Sequence, residues 1–235
     1  DRGNATRFTS EPAIEWYFPT WSPDGSRLVF GSNRGGPYDI YERPVTGAGK
    51  EEMLYHSDVL KKWPTSWSPD GRWILFDSSS PETGEDLWLL SMEGERKATL
   101  FLQTRFNERG GQISPDGHWM AYVSDASGRN EVCVQPFPTS GAVVQVSADG
   151  GDAPGWSRDG REIFFHSPSG SLMAAAVETT PNFRAGVPHP LFRIPAGMID
   201  LVFDGQRGLG LAPVQAGDRT TVTLVLNWAS GLERK

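Results

Sequence analysis

The sequence predicts an all-β propeller of four-stranded antiparallel blades, on the strength of a recurring turn, its spacing and the strands that flank it. Ser22-Pro23-Asp24-Gly25 recurs as Ser68-Pro69-Asp70-Gly71 and Ser114-Pro115-Asp116-Gly117, with weaker copies at Ser157-Arg158-Asp159-Gly160 and Phe203-Asp204-Gly205. Successive Asp residues stand 46, 46, 43 and 45 positions apart, a period within the range of propeller blades. In each copy Pro fixes φ, Asp bonds to nearby backbone N–H groups and Gly accepts a positive φ, so a tight hairpin is expected. A linear solenoid of this period would carry helices or very short coils, and neither pattern occurs.

Each unit repeats the same order of elements. The residue before the turn (Trp21, Trp67, Ile113, Trp156, Leu201) is expected to face the core between blades. The run after it (Arg27-Leu28-Val29-Phe30, Trp73-Ile74-Leu75-Phe76, Trp119-Met120-Ala121-Tyr122, Glu162-Ile163-Phe164-Phe165) reads as a strand sandwiched between neighbouring blades. A third strand is expected at Asp39-Ile40-Tyr41, Asp86-Leu87-Trp88-Leu89, Glu131-Val132-Cys133-Val134 and Ser171-Leu172-Met173. Met53-Leu54-Tyr55 and Val143-Val144-Gln145-Val146 fit the short outer strand that a radial array leaves at its edge. The last unit offers residues 221–228 as a third strand and no fourth, while residues 6–10 resemble an orphan outer strand. The N-terminal strand is therefore expected to close the last blade. The five units form either a closed ring or part of a six-bladed one. The expected organisation is a single domain over 1–235, with blades near 11–57, 58–104, 105–148, 149–193 and 194–235 plus 1–10.

Composition agrees with a folded, acidic chain. Of 235 residues 37% are hydrophobic, including 9 Trp and 12 Phe, which supplies a core. A formal net charge of −7 repels phosphate backbones and anionic lipid, so neither nucleic acid nor direct membrane insertion is expected. No apolar run approaches the roughly 20 residues of a membrane helix, and the first residues lack the apolar stretch of a signal peptide. Starting at Asp1 rather than methionine, the sequence reads as a processed product or a fragment. The single cysteine, Cys133, lies in an alternating apolar run and reads as a buried structural thiol.

The block from Trp21 to Gly36, continuing through Tyr38-Asp39-Ile40-Tyr41, resembles the TolB-type propeller repeat, and the resemblance extends through the later units with decreasing strength. Asn107-Glu108-Arg109-Gly110-Gly111, Gln135-Pro136-Phe137-Pro138 and Leu224-Val225-Leu226-Asn227-Trp228 are similar to the C-terminal propeller of bacterial serine/threonine protein kinases. That resemblance implies a sensor or interaction domain outside the cytoplasm, with no catalytic residues to carry over. It also implies six blades where five units are visible. The kinase motifs themselves, a Gly-rich loop, His-Arg-Asp and Asp-Phe-Gly, do not occur.

Enzyme readings fare worse than binding. Gly155-Trp156-Ser157-Arg158-Asp159 lacks the final glycine of a nucleophile elbow and coincides with a repeat turn. His56, His118, His166 and His189 are dispersed and show no ligand spacing. The repeated Asp lacks the clustering a hard cation prefers. No metal or cofactor is expected. The expected role is a non-catalytic binding or scaffolding module for a protein or peptide partner, with a small-molecule sensor, or the propeller of a peptidase or glycosidase, as alternatives. Loops of every blade converge at the mouths of a propeller channel. Counting back from the pre-turn position places Trp16, Tyr17, Lys62, Trp63, Glu108, Arg109 and Asp152 on one such mouth. The aromatics there serve recognition or packing, and Lys62, Glu108, Arg109 and Asp152 are each expected to be solvated.

Overall fold

The computed structural model describes residues 19–36, 38–46, 49–58 and 61–194, together with the backbone of 200–203, 208–213 and 222–225. All regular structure among them is β. The chain divides into two compact units, Asp1–Gly111 and Gln112–Lys235, whose boundary falls inside one strand.

The first unit holds two antiparallel four-stranded sheets. One is β1 (Thr20–Trp21), β2 (Arg27–Ser32), β3 (Asp39–Pro44) and β4 (Glu52–Tyr55); the other is β5 (Lys62–Trp67), β6 (Trp73–Ser80), β7 (Gly84–Ser91) and β8 (Ala98–Leu102). Strands pair in chain order, as successive hairpins dictate. The inner strands β2 and β6 are buried along most of their length on both faces, which explains their unbroken apolar runs. Val29, Ile40 and Leu54 of the first sheet pack with Trp67, Ile74, Phe76 and Leu90 of the second in one cluster. Each such buried side chain contributes about 1.5–3 kcal/mol of transfer free energy.

In the chain that follows, β9 (Glu108–Ile113), β10 (Trp119–Ser124), β11 (Glu131–Pro136) and β12 (Val144–Gln145) form a third sheet. In the second unit, β13 (Asp152–Trp156), β14 (Glu162–His166) and β15 (Ser171–Glu178) form a fourth. Its outer edge is divided, because β15 is eight residues long. β16 (Arg184–Ala185) covers its end, and β17 (His189–Arg193) covers its start. Ala121, Val132, Val134 and Val146 pack with Ile163, Phe165, Ala175, Val177 and Phe183, again joining two sheets in one core. β18 (Asp200–Phe203), β19 (Gly208–Pro213) and β20 (Val222–Val225) form a three-stranded sheet. Residues 6–10, expected to close it, lie outside the described residues.

The turn follows the sequence logic, with serine as its pivot. Ser22 Oγ donates to Asp24 Oδ1 at 2.6 Å and accepts the N–H of Arg27 at 2.9 Å. The same pair of bonds recurs at Ser68 (to Asp70 and from Trp73), Ser114 (to Asp116 and from Trp119) and Ser157 (to Asp159 and from Glu162). All four serines are buried. The glycines adopt φ between 69° and 76°, as the turn requires. Ser157-Arg158-Asp159-Gly160 keeps every one of these bonds without its proline, so proline is an accessory to the turn.

One packing expectation is overturned. Trp67 and Ile113 are buried and Trp156 is half-buried, but Trp21 is 54% exposed. Trp67 lies under the Arg27 guanidinium, 5.0 Å from its ring, and so is covered by the preceding sheet. No sheet precedes β1 among the described residues to do the same for Trp21. Leu201's side chain is not among those described.

Candidate functional site

In each blade the innermost strand begins, the second ends and the third begins at a common edge, which carries the residues singled out above. Trp16 and Tyr17 lie outside the described residues. Of the others, Lys62 and Glu108 are buried rather than solvated, whereas Trp63, Arg109 and Asp152 are half-buried.

The burial of Lys62 has a definite cause. Its Nζ donates to Asp39 Oδ1 at 2.9 Å and to the carbonyls of Tyr38 and Ser57 at 3.1 and 2.8 Å. Asp39 Oδ2 in turn lies 2.8 Å from His56 Nδ1. The lysine, opening β5, thereby fastens the linker from β4 to the start of β3. A buried ammonium is tolerated because all three donors are used and a carboxylate faces it.

Glu108 opens β9 and fastens its own linker, accepting from Thr104 N at 3.1 Å and Thr104 Oγ1 at 2.6 Å. The carboxylates at or near the start of the third strands, Asp39, Asp86 and Glu131, are all buried and all reach the segment that follows the outer strand. Asp86 Oδ2 accepts from Gln103 Nε2 at 2.9 Å and from Thr83 Oγ1 at 2.6 Å. Glu131 accepts from Ser147 Oγ and from Gly150 N at 3.1 Å. In each of the first three blades one carboxylate thus pins the segment that leads on from the outer strand.

A second set of groups lies at the same edge. Asp77, near the end of β6, is 93% buried by its 7% exposure, and its Oδ2 accepts the N–H of Gly110 at 2.8 Å. Its Oδ1 is buried with no hydrogen-bond partner. Burial pushes the Asp77 carboxyl up to about 7, helped by the charge of Glu85 and opposed by the Gly110 and Gly111 amides and Arg109. Glu85 and Arg109 form a loose ion pair, Nε to Oε2 3.4 Å, with each side chain 30% exposed. In the second unit the residues at the same repeat positions, Asn130 and Asp152, are joined by a hydrogen bond of 3.3 Å. Asp77, Asp86, Glu131 and Glu85 were not among the residues singled out from sequence. Within an alternating strand a carboxylate carries no local mark of burial, although the recurrence of Asp39, Asp86 and Glu131 at one repeat position was a usable sign.

Among the described residues no group of three or more His, Cys, Asp and Glu side chains is arranged to hold a metal ion. Nor, among them, is any helix long and apolar enough to cross a membrane.

This chain has the TolB-like β-propeller fold. A crystal structure of TolB from Acinetobacter baumannii superposes with a TM-score of 0.62 at 21% identity, over 87% of this chain and 52% of that one. An uncharacterized protein of Agrobacterium fabrum (strain C58) is 30% identical over 162 residues, which cover 63% of this chain and 54% of that protein. The chain therefore spans about half the length of that curated relative. No protein-family model matches. Propellers of other kinds align as well. A gluconolactonase of Xanthomonas campestris has a TM-score of 0.64 at 13% identity, over 87% of this chain and 72% of that one. A puromycin-hydrolyzing peptidase of Mycobacterium tuberculosis gives 0.61 at 16% identity, over 88% of this chain and 34% of that one. At these identities the solved structures establish the fold alone.

Proposed function

We propose that this chain is a non-catalytic binding module whose strand-opening edge engages a peptide or protein partner. The observation that carries the reading is the division of labour at that edge. Lys62, Asp39, Asp86, Glu108 and Glu131, buried ionisable residues of that edge, hold linkers. Trp63, Glu85 and Arg109 remain half-buried, so an aromatic face and two opposite charges reach the surface on a rigid frame. Such a surface suits recognition of an extended polar segment, with the aromatic as anchor and the charges fixing register. The resemblance to propellers of bacterial kinases supports a sensor role in a signalling protein outside the cytoplasm. A net charge of −7 argues against nucleic acid as the partner.

The test is a peptide array probed with the chain and with Trp63→Ala and Glu85→Ala. Peptides bound by the parent and lost by both variants support the reading. Turnover of gluconolactone or of a peptide anilide that disappears in the same variants would replace it with a hydrolase. Saturable binding of a small molecule in the absence of any peptide would replace it with a small-molecule sensor.

A further inference from the structure

The corner formed by Asp77, Glu85 and Arg109 is not used by the linker clips. The charges of Glu85 and Arg109 both act on Asp77, so with both carboxylates ionised the corner carries a surplus negative charge. The internal cation pairs with Glu85, Nε to Oε2 3.4 Å, on a side chain that is partly exposed. Asp77, whose Oδ2 accepts from Gly110 next to Arg109 in sequence, has a buried second oxygen, Oδ1, that accepts from no donor. An unsatisfied buried acceptor is unfavourable, and more so when charged, so a donor delivered to that oxygen is favoured. Trp63 is the residue of β5 directly paired with Asp77, which sets an aromatic beside the same corner.

We propose that this corner is the docking site for a cationic side chain of the partner, an arginine or lysine, which displaces Arg109 from Glu85 and donates to Asp77. The inference rests on the binding role proposed above and specifies the chemistry of what is bound. The charged groups that act on Asp77 are Glu85 from β7 and Arg109 from β9, with the Gly110 and Gly111 amides bonding to it. Because the Asp77 carboxyl titrates near 7, the incoming cation meets an ionised acceptor above neutrality and a protonated one below. Binding therefore strengthens as pH rises and releases a proton.

The Gly110 amide, bonded to Asp77, is a built-in reporter. Titrating the 235-residue chain with N-acetyl-arginine amide and following Gly110 by ¹H–¹⁵N NMR is expected to give a saturable shift. Its apparent affinity should rise about tenfold from pH 6 to pH 8, as the ionised fraction of Asp77 goes from about a tenth to about nine tenths. Asp77→Asn abolishes the shift and its pH dependence, Glu85→Gln weakens binding severalfold, and Arg109→Gln strengthens it by removing the competitor. Glu93→Gln, which makes the same charge change on the exposed Arg72 pair, leaves the titration unaltered. The absence of a saturable Gly110 shift overturns the proposal, as does wild-type behaviour of both Asp77→Asn and Glu85→Gln. Peptide binding that depends on Trp63 alongside a flat Gly110 titration would discard the corner and keep the module; a Gly110 response with no bound peptide would do the reverse.

Discussion

The ammonium of Lys62 and the carboxylate of Asp39 meet at 2.9 Å with side chains only 1% and 2% exposed, joining the first strand of one blade to the third strand of the blade before it. Removing either partner strands the other in a dry environment, and breaking a buried pair in this way costs about 3–5 kcal/mol. Lys62→Met is therefore expected to destabilise the chain by that order, as is Asp39→Asn to a lesser degree, because the amide still accepts. The double variant Lys62→Met, Asp39→Asn should lose less than the sum of the two single ones. Chemical denaturation of the four proteins gives the coupling energy directly, and additive losses would show that the pair is not a unit.

The serine pivot makes an opposite pair of predictions within one motif. Ser68→Ala removes a buried acceptor for Trp73 N and a donor to Asp70, so it is expected to cost about 1–3 kcal/mol. Arg158→Pro restores the proline the fourth copy lacks, at a position whose N–H makes no backbone bond among those of the turn. It should stabilise by about 0.4–1 kcal/mol by restricting the unfolded chain. Thermal melts of the two variants against the parent decide both; an Arg158→Pro melt below the parent would mean that the fourth turn differs in backbone from the other three.

Much of the fold was legible because the repeat states it several times over. Period, turn and apolar run agree in the first four units, and the strands Arg27–Ser32, Trp73–Ser80 and Trp119–Ser124 begin where the sequence placed them. The site was less legible, for a physical reason. Whether Lys62 is solvated or buried depends on Asp39, 23 residues away, and on two carbonyls that no pattern announces. The same holds for Asp77, whose buried state is set by Gly110 from another blade. The role of Ser22 and its counterparts could have been read, since a residue invariant across four turns in one chain asks for a bond of its own. The exposure of Trp21 could not, because its repeat position is that of the buried Trp67.

Gly111 shows how closely the edge is packed. A Cβ there would lie 2.5 Å from Leu75 Cδ2 and 3.2 Å from Leu87 Cδ2, both on buried residues of the preceding blade. Gly111→Ala is thus expected to destabilise by about 1–3 kcal/mol through overpacking. The paired change Gly111→Ala with Leu75→Val should restore part of that loss by making room. If the paired variant is no better than the sum of the single ones, the clash is not the cause.

The acidic residues of the turn and of the edge titrate in opposite senses, and stability should follow. Asp24 is drawn down to about 2 by the Ser22 hydroxyl, followed by the Ser26 N–H and hydroxyl. Its bonds contribute above the ordinary carboxylate range and are lost as pH falls toward 2. Asp77, raised to about 7, works the other way. Between pH 4 and 7 the unfolded carboxyl has already lost its proton while the folded one keeps it, so the folded state binds more protons and stability falls as pH rises. The cost above pH 7 is a few kcal/mol, on the order of the shift multiplied by 1.4 kcal/mol per unit. Asp77→Asn cannot ionise and still offers an acceptor to Gly110. Its stability should be nearly flat from pH 5 to pH 8, crossing that of the parent and exceeding it at the alkaline end. Urea midpoints measured at half-unit intervals test this. Parallel curves for the two proteins would mean that Asp77 is ionised throughout, in which case the buried Oδ1 finds a donor within the protein.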